Sequence, residues 1–97
     1  MSVNVKRDKN KLIIDGELDR FNLSDDALYE FLAFDDRVEI DLEKVINIDT
    51  AGVAYLLKVV DHYQKLHKLV TICGGSEQLI ALANISNVLE LLPLHRN

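Results

Sequence analysis

One cysteine, one proline, four glycines and no tryptophan are all that this 97-residue sequence offers of those four residue types. Cys73 has no second thiol in the chain to pair with, which excludes an internal disulfide and suits a reducing compartment. With so few glycines and Pro93 alone among prolines, no biased tract marks a linker or a disordered tail. The longest apolar runs, such as Val53-Ala54-Tyr55-Leu56-Leu57, fall far short of the ~20 residues that span a bilayer. The opening Met1-Ser2-Val3-Asn4-Val5-Lys6-Arg7 sets its charge after a short apolar stretch, unlike a secretory signal. These features together predict a cytoplasmic chain with no direct membrane insertion. Clustered basic charge is missing too: the net charge is -5, with residues 1–12 summing to +3, 13–50 to -9 and 51–97 to +1. Phosphate binding needs a basic face, so nucleic acid is excluded as a partner and a basic protein is the easier one.

What is present is an ordinary globular composition, 48% apolar and 28% charged, in a length that closes one core. A single domain over 1–97 is expected. Val3 and Val5 alternate with polar residues and Leu12-Ile13-Ile14 follows, which predicts two strands joined in a hairpin near Asp8-Lys9-Asn10. Ser24 before two acids, with Leu28, Phe31 and Leu32 at helical spacing, predicts a short helix. Val38, Ile40 and Leu42 alternate as a strand. From Ala51 to about Leu66 the period changes, and Val53, Leu56, Leu57, Val60 and Tyr63 form one helical stripe. Leu69 to Cys73 is a β-branched strand ending at Gly74-Gly75. Ser76 and Ser86 are then candidate caps for two further helices, the last stopped by Pro93. Strands separated by helices need crossovers, so the fold is predicted as α/β, with a mostly parallel sheet and one antiparallel hairpin.

Catalytic and metal chemistry lack a constellation. His62 and His67 lie about 140° apart around the predicted helix, too far to converge on one metal. Asp61 and Lys65 make a surface i,i+4 pair. Gly74-Gly75 lacks the longer pattern of a phosphate loop, and no base stands near the serines by sequence. No enzyme activity, cofactor or metal is expected.

The informative segment is Val45-Ile46-Asn47-Ile48-Asp49-Thr50-Ala51-Gly52-Val53. Asp49 or Thr50 falls at the helix N-cap, and Ala51 and Gly52 leave the first turn nearly bare, open to close approach by a partner. A phosphate on Thr50 would meet favourable amides and an unfavourable Asp49. Tyr55, Val59, His62 and Leu66 form a second strip on this helix, which either packs beneath a neighbouring element or extends a docking face.

Taken in order, Gly16-Glu17-Leu18-Asp19-Arg20, Val38-Glu39-Ile40-Asp41-Leu42, Val45, Ile48-Asp49-Thr50-Ala51-Gly52 and Leu56-Leu57 resemble the STAS domain. The name comes from sulfate transporters and anti-sigma factor antagonists. The resemblance implies a mixed sheet of four to five strands packed with about four helices. Threonine followed by Ala-Gly, with Gly-Glu-Leu-Asp-Arg, looks most like the MlaB-type subunit of the phospholipid-transporting ABC complex that maintains outer-membrane lipid asymmetry. This implies a regulatory subunit without catalysis, bound to the cytoplasmic ABC ATPase and held peripherally at the inner membrane. The partner-binding residues carried over are Thr50, Ala51, Tyr55, Val59 and His62. The tryptophan common in the first helix region of such subunits is absent, and Tyr29 or Phe31 would stand there. The alternative that the resemblance implies is an anti-sigma factor antagonist, phosphorylated at Thr50 by an anti-sigma factor kinase.

Overall fold

The computed structural model describes residues 2–95; Met1, Arg96 and Asn97, which fall within the expected single-domain span, lie outside the described residues. Strand β1 (Val3–Asp8) turns back into β2 (Lys11–Leu18), and the two pair antiparallel from Val3 opposite Gly16 to Asp8 opposite Lys11. Lys9 sits in the left-handed region at the turn. Strand β3 (Arg37–Ile48) runs parallel to β2, and β4 (Leu69–Cys73) runs parallel to β3, giving the order β1-β2-β3-β4. The sheet therefore has four strands, mixed as the hairpin and crossovers require.

Alternation decides which face is dry. Leu12, Ile14, Val38, Ile40, Leu42, Val70 and Ile72 point into the core and are buried, while Ile13, Asp15, Glu39, Asp41, Thr71 and Cys73 are only half-buried. Helix α1 (Thr50–Lys65) lies over β2, β3 and β4, and helix α2 (Glu77–Ile85) packs beside it. On α1 Val53, Leu56, Val60 and Tyr63 of the predicted stripe are buried and Leu57 is half-buried, but Tyr55 and Val59 are buried as well. Burying a side chain of this size contributes roughly 1.5–3 kcal/mol, so α1 holds the layer together.

Two of the four predicted helices are single 3-10 turns, at Asp26–Tyr29 and Leu89–Leu91. In the first, the cap is Asp25, whose Oδ1 accepts from Ala27 N at 3.0 Å, and Ser24 is not used. The segment is tied to α1 by side chains: Tyr55 Oη donates to Leu28 O at 2.8 Å and Tyr63 Oη donates to Leu32 O. At the other turn, Ser86 closes α2 instead of opening a new helix, with its N–H donating to Leu82 O at 3.0 Å. Asn87 follows in the left-handed region, Asn87 N donates to Asn84 O and Val88 N to Ala83 O, a Schellman closure. His67 ends α1 in the same way, with Lys68 N donating to Tyr63 O.

Strand β3 is more than twice the length of the Val38–Leu42 stretch that alternates. Its second half pairs only with β2, and the register slips between Ile13 and Asp15 and again between Gly16 and Glu17. Each slip leaves one extra residue on β3. At the second, Ile46 is passed over and stands 69% exposed. These bulges carry β3 along β2 to Ile48 opposite Leu18, which delivers the start of α1 beside the end of β2.

Candidate functional site

The start of α1 is built on Asp49. Its backbone is extended, Oδ1 accepts from Gly52 N at 3.0 Å as the helix cap, and Oδ2 accepts from Arg20 N at 3.1 Å. Asp49 N also donates to Leu18 O at 3.1 Å. One carboxylate thus ties the helix to the segment that leaves β2. Gly52 sits so close to that segment that a Cβ would lie 2.1 Å from Leu18 O and 2.7 Å from Ile48 Cγ1. Only glycine permits this approach, which explains why the Asp-Thr-Ala-Gly stretch ends as it does.

With Asp49 doing the capping, Thr50 is the first helical residue and its side chain is exposed. Among the described residues its hydroxyl has no side-chain hydrogen bond, so the reading in which Thr50 caps the helix does not hold. Ala51 is half-buried beside it. The other residues expected at the interface sit elsewhere. Tyr55 is 2% exposed, beneath the segment around Asp26–Tyr29, and Val59 is fully buried, so they offer no surface of their own. Of the two readings open for the second strip, packing beneath a neighbouring element is the one realised at these positions. His62 is half-buried, with its ring 4.7 Å from that of Phe31 and 4.8 Å from that of Tyr63. Leu66, at the end of the strip, is exposed.

The face that remains open beyond Thr50 is set by helical spacing. Ala54 and Lys58, four and eight positions on, are both exposed. Lys58 Nζ lies 5.3 Å from the ring centre of Tyr29, whose own ring meets Tyr55 edge-on at 5.4 Å and whose hydroxyl donates to Leu23 O at 2.9 Å. A continuous rim therefore runs from Thr50 through Ala54 and Lys58 to Tyr29. Ala54 and Lys58 escaped the sequence reading, which followed apolar residues; the i,i+4 spacing from Thr50 was the available signal. Small side chains at the helix start with a cation and an aromatic ring beside them suit protein contact.

Electrostatics separates this rim from the rest. Burial pushes the Tyr55 and Tyr63 hydroxyls up to about 12, with neighbouring tyrosines adding to the rise at Tyr55, so both stay protonated donors. Burial, then the carboxylates of Glu39, Asp41 and Glu43, push the Cys73 thiol up to about 11. The acids of residues 13–50 do not collect at the helix start: Asp35 and Asp36 precede β3 at its opposite end, and Asp19 and Asp49 accept from backbone amides. Among the described residues no cluster of three or more His, Cys, Asp or Glu is placed to hold a metal, and no helix is long and apolar enough to cross a membrane.

A family model described as "Mlab, STAS domain" matches residues 1–93. The fold is similar to that of a sulfate transporter family protein from Wolinella succinogenes, with a TM-score of 0.67 and 18% identity over 88% of this chain and 74% of that one. It is also similar to the anti-sigma factor antagonist SpoIIAA in its unphosphorylated form, with a TM-score of 0.60 and 13% identity over 98% of this chain and 88% of that one. No curated protein matches the sequence significantly.

Proposed function

The chain belongs to the family described as Mlab, STAS domain, and from that membership we propose that it is a non-enzymatic subunit of a bacterial phospholipid-transporting ABC complex. In this reading it docks through the start of α1 onto the ATPase subunit and regulates it by contact. It is cytoplasmic and held at the inner membrane by that partner alone. The observation that carries the reading is Thr50: exposed, first in its helix, and released from capping by Asp49. With Ala51 and Ala54 beside it, a partner backbone can approach the helix start closely. The proposed contact set is Thr50, Ala51, Ala54, Lys58 and Tyr29, with Tyr55, Val59 and His62 supporting it from within.

The test is affinity purification of the tagged chain from its native cells in mild detergent, comparing wild type with Thr50→Glu. A glutamate there would be buried at the interface without a partner, beside the Asp49 carboxylate, and should weaken binding by about 1–3 kcal/mol. Recovery of an ABC ATPase with its membrane partners by wild type, and its loss with Thr50→Glu, supports the proposal. A second reading rests on the same free hydroxyl at a helix N-terminus, where added phosphate is electrostatically favoured. It makes the chain an anti-sigma factor antagonist, and recovery of a soluble kinase with phosphate mass on Thr50 would put it first.

A further inference from the structure

The segment between β2 and the 3-10 turn presents an aromatic side chain that the fold does not use. Phe21 is 76% exposed. Single exposed apolar residues are common on protein surfaces, but the backbone that carries this one is held at several points. Phe21 N donates to Asp19 Oδ1 at 3.1 Å, Asn22 N donates to Asp19 O at 3.0 Å, and Asn22 Nδ2 donates to Asp19 Oδ1 at 2.7 Å. Asp19 itself is buried to 8% exposure, so the turn is anchored from below. Ahead of the ring, Arg20 N is fixed to Asp49 Oδ2, the same carboxylate that caps α1. The Phe21 backbone is thus tied, through Arg20 and Asp49, to the helix turn that begins at Thr50.

Arg20 adds a second feature. Its guanidinium lies 4.9 Å from the centre of the Phe21 ring, stacked on the apolar side chain. Asp19, its neighbour in the chain, and Asp49, which holds its backbone amide, accept from backbone amides and from Asn22. Among the described residues the Arg20 guanidinium joins neither ion pair, which are Lys11 with Glu39 and Lys65 with Asp61. The charge is left free to meet an acid from outside. An arginine stacked on an aromatic ring joins a charge to apolar area, and arginines and aromatic rings are enriched where binding energy concentrates in protein interfaces.

We propose that Phe21, with the Arg20 guanidinium over its ring, is a second docking anchor for the ATPase that meets the start of α1, and that it enters an apolar recess edged by a carboxylate. This rests on the docking reading above. Continuity through Asp49 selects that partner, since its carboxylate holds both the Arg20 amide, next to Phe21, and the Gly52 amide in the helix turn that begins at Thr50. The unpaired cation selects the acid at the recess edge.

Binding of the full chain to the purified ATPase subunit of the phospholipid-transport complex from the same cells tests this, read by biolayer interferometry. Phe21→Ala should weaken binding about 10- to 100-fold and Phe21→Leu less, because leucine keeps apolar bulk. Arg20→Ala should weaken it about tenfold at low salt and flatten its dependence on ionic strength. Ile85→Ala, a still more exposed residue at 82% on α2, should bind as wild type. Melting temperatures should stay within about 2 °C of wild type, since no variant opens the core. Wild-type affinity in both Phe21→Ala and Arg20→Ala, with Thr50→Glu impaired, overturns the second anchor and leaves the docking reading standing. Loss with Phe21→Ala alone overturns the carboxylate half of the proposal. Failure of the wild-type chain to bind this ATPase overturns both readings together.

Discussion

Replacing Asp49 separates its two structural tasks. In Asp49→Ala the helix loses its cap to Gly52 N, which costs about 1 kcal/mol, and Arg20 N loses an ionised acceptor. The Arg20 amide is at an exposed position and regains water, so the second bond contributes about 1 kcal/mol and not the larger figure for a sealed site. The sum is about 2 kcal/mol. For a domain of this size each kcal/mol moves the melting temperature by about 4–8 °C, so a drop of about 10 °C is expected. Asp49→Asn keeps one acceptor oxygen but turns an amide N–H toward the other donor, and should lose about half as much. Urea unfolding at neutral pH measures both, with the slope unchanged. Hydrogen exchange should accelerate at the Arg20 and Gly52 amides ahead of the sheet. If Asp49→Ala costs under about 0.5 kcal/mol, or if asparagine is as damaging as alanine, the carboxylate does not bridge helix and loop and the reasoning fails.

Gly52→Ala places a methyl where Leu18 O and Ile48 already stand, so it should destabilise the fold by about 2–3 kcal/mol in urea unfolding; an unchanged midpoint would mean that α1 is not seated against β2. Tyr63→Phe removes the donor to Leu32 O and should cost about 1 kcal/mol, read by the same unfolding curve. The folded-state pKa values of Tyr55 and Tyr63 lie near 12, above the ordinary 10, so their stabilising contribution is complete below pH 10 and lost as pH rises toward 12. Wild type should weaken across that window, and the phenylalanine variants should weaken less steeply. With its thiol pushed from 9 to about 11, Cys73 should alkylate with iodoacetamide about 100-fold more slowly at pH 8 than an unperturbed thiol, and Asp41→Asn should speed it. Alkylation at the rate of a free thiol would refute that picture of the sheet's outer face.

Periodicity alone carried the main elements: the Val3 to Ile14 hairpin, the alternation of Val38, Ile40 and Leu42, the helical stripe from Val53 to Tyr63 and the β-branched run at Leu69 to Cys73 all stand where local spacing puts them. Those patterns depend on which face of one element is apolar, which a sequence states directly. The Asp-Thr-Ala-Gly stretch was legible for the same reason, being a cap, a bare turn and a glycine in consecutive positions. Tertiary contacts decided the rest. The predicted helix around Leu28 is one turn in a segment bonded to two tyrosines of α1, and no local pattern announces a hydroxyl arriving from about 30 residues away. His67 and Asn87 ended their helices without the glycine that usually signals it. Whether Tyr55 and Val59 faced a partner or the interior depended on what packed against them: both are buried, and the segment at Asp26–Tyr29 lies over Tyr55. The bulges that carry β3 to Ile48 then set the Arg20 amide on the Asp49 carboxylate that caps α1. That adjacency joins residues about 30 positions apart through one carboxylate, and only a folded chain brings its two donors together.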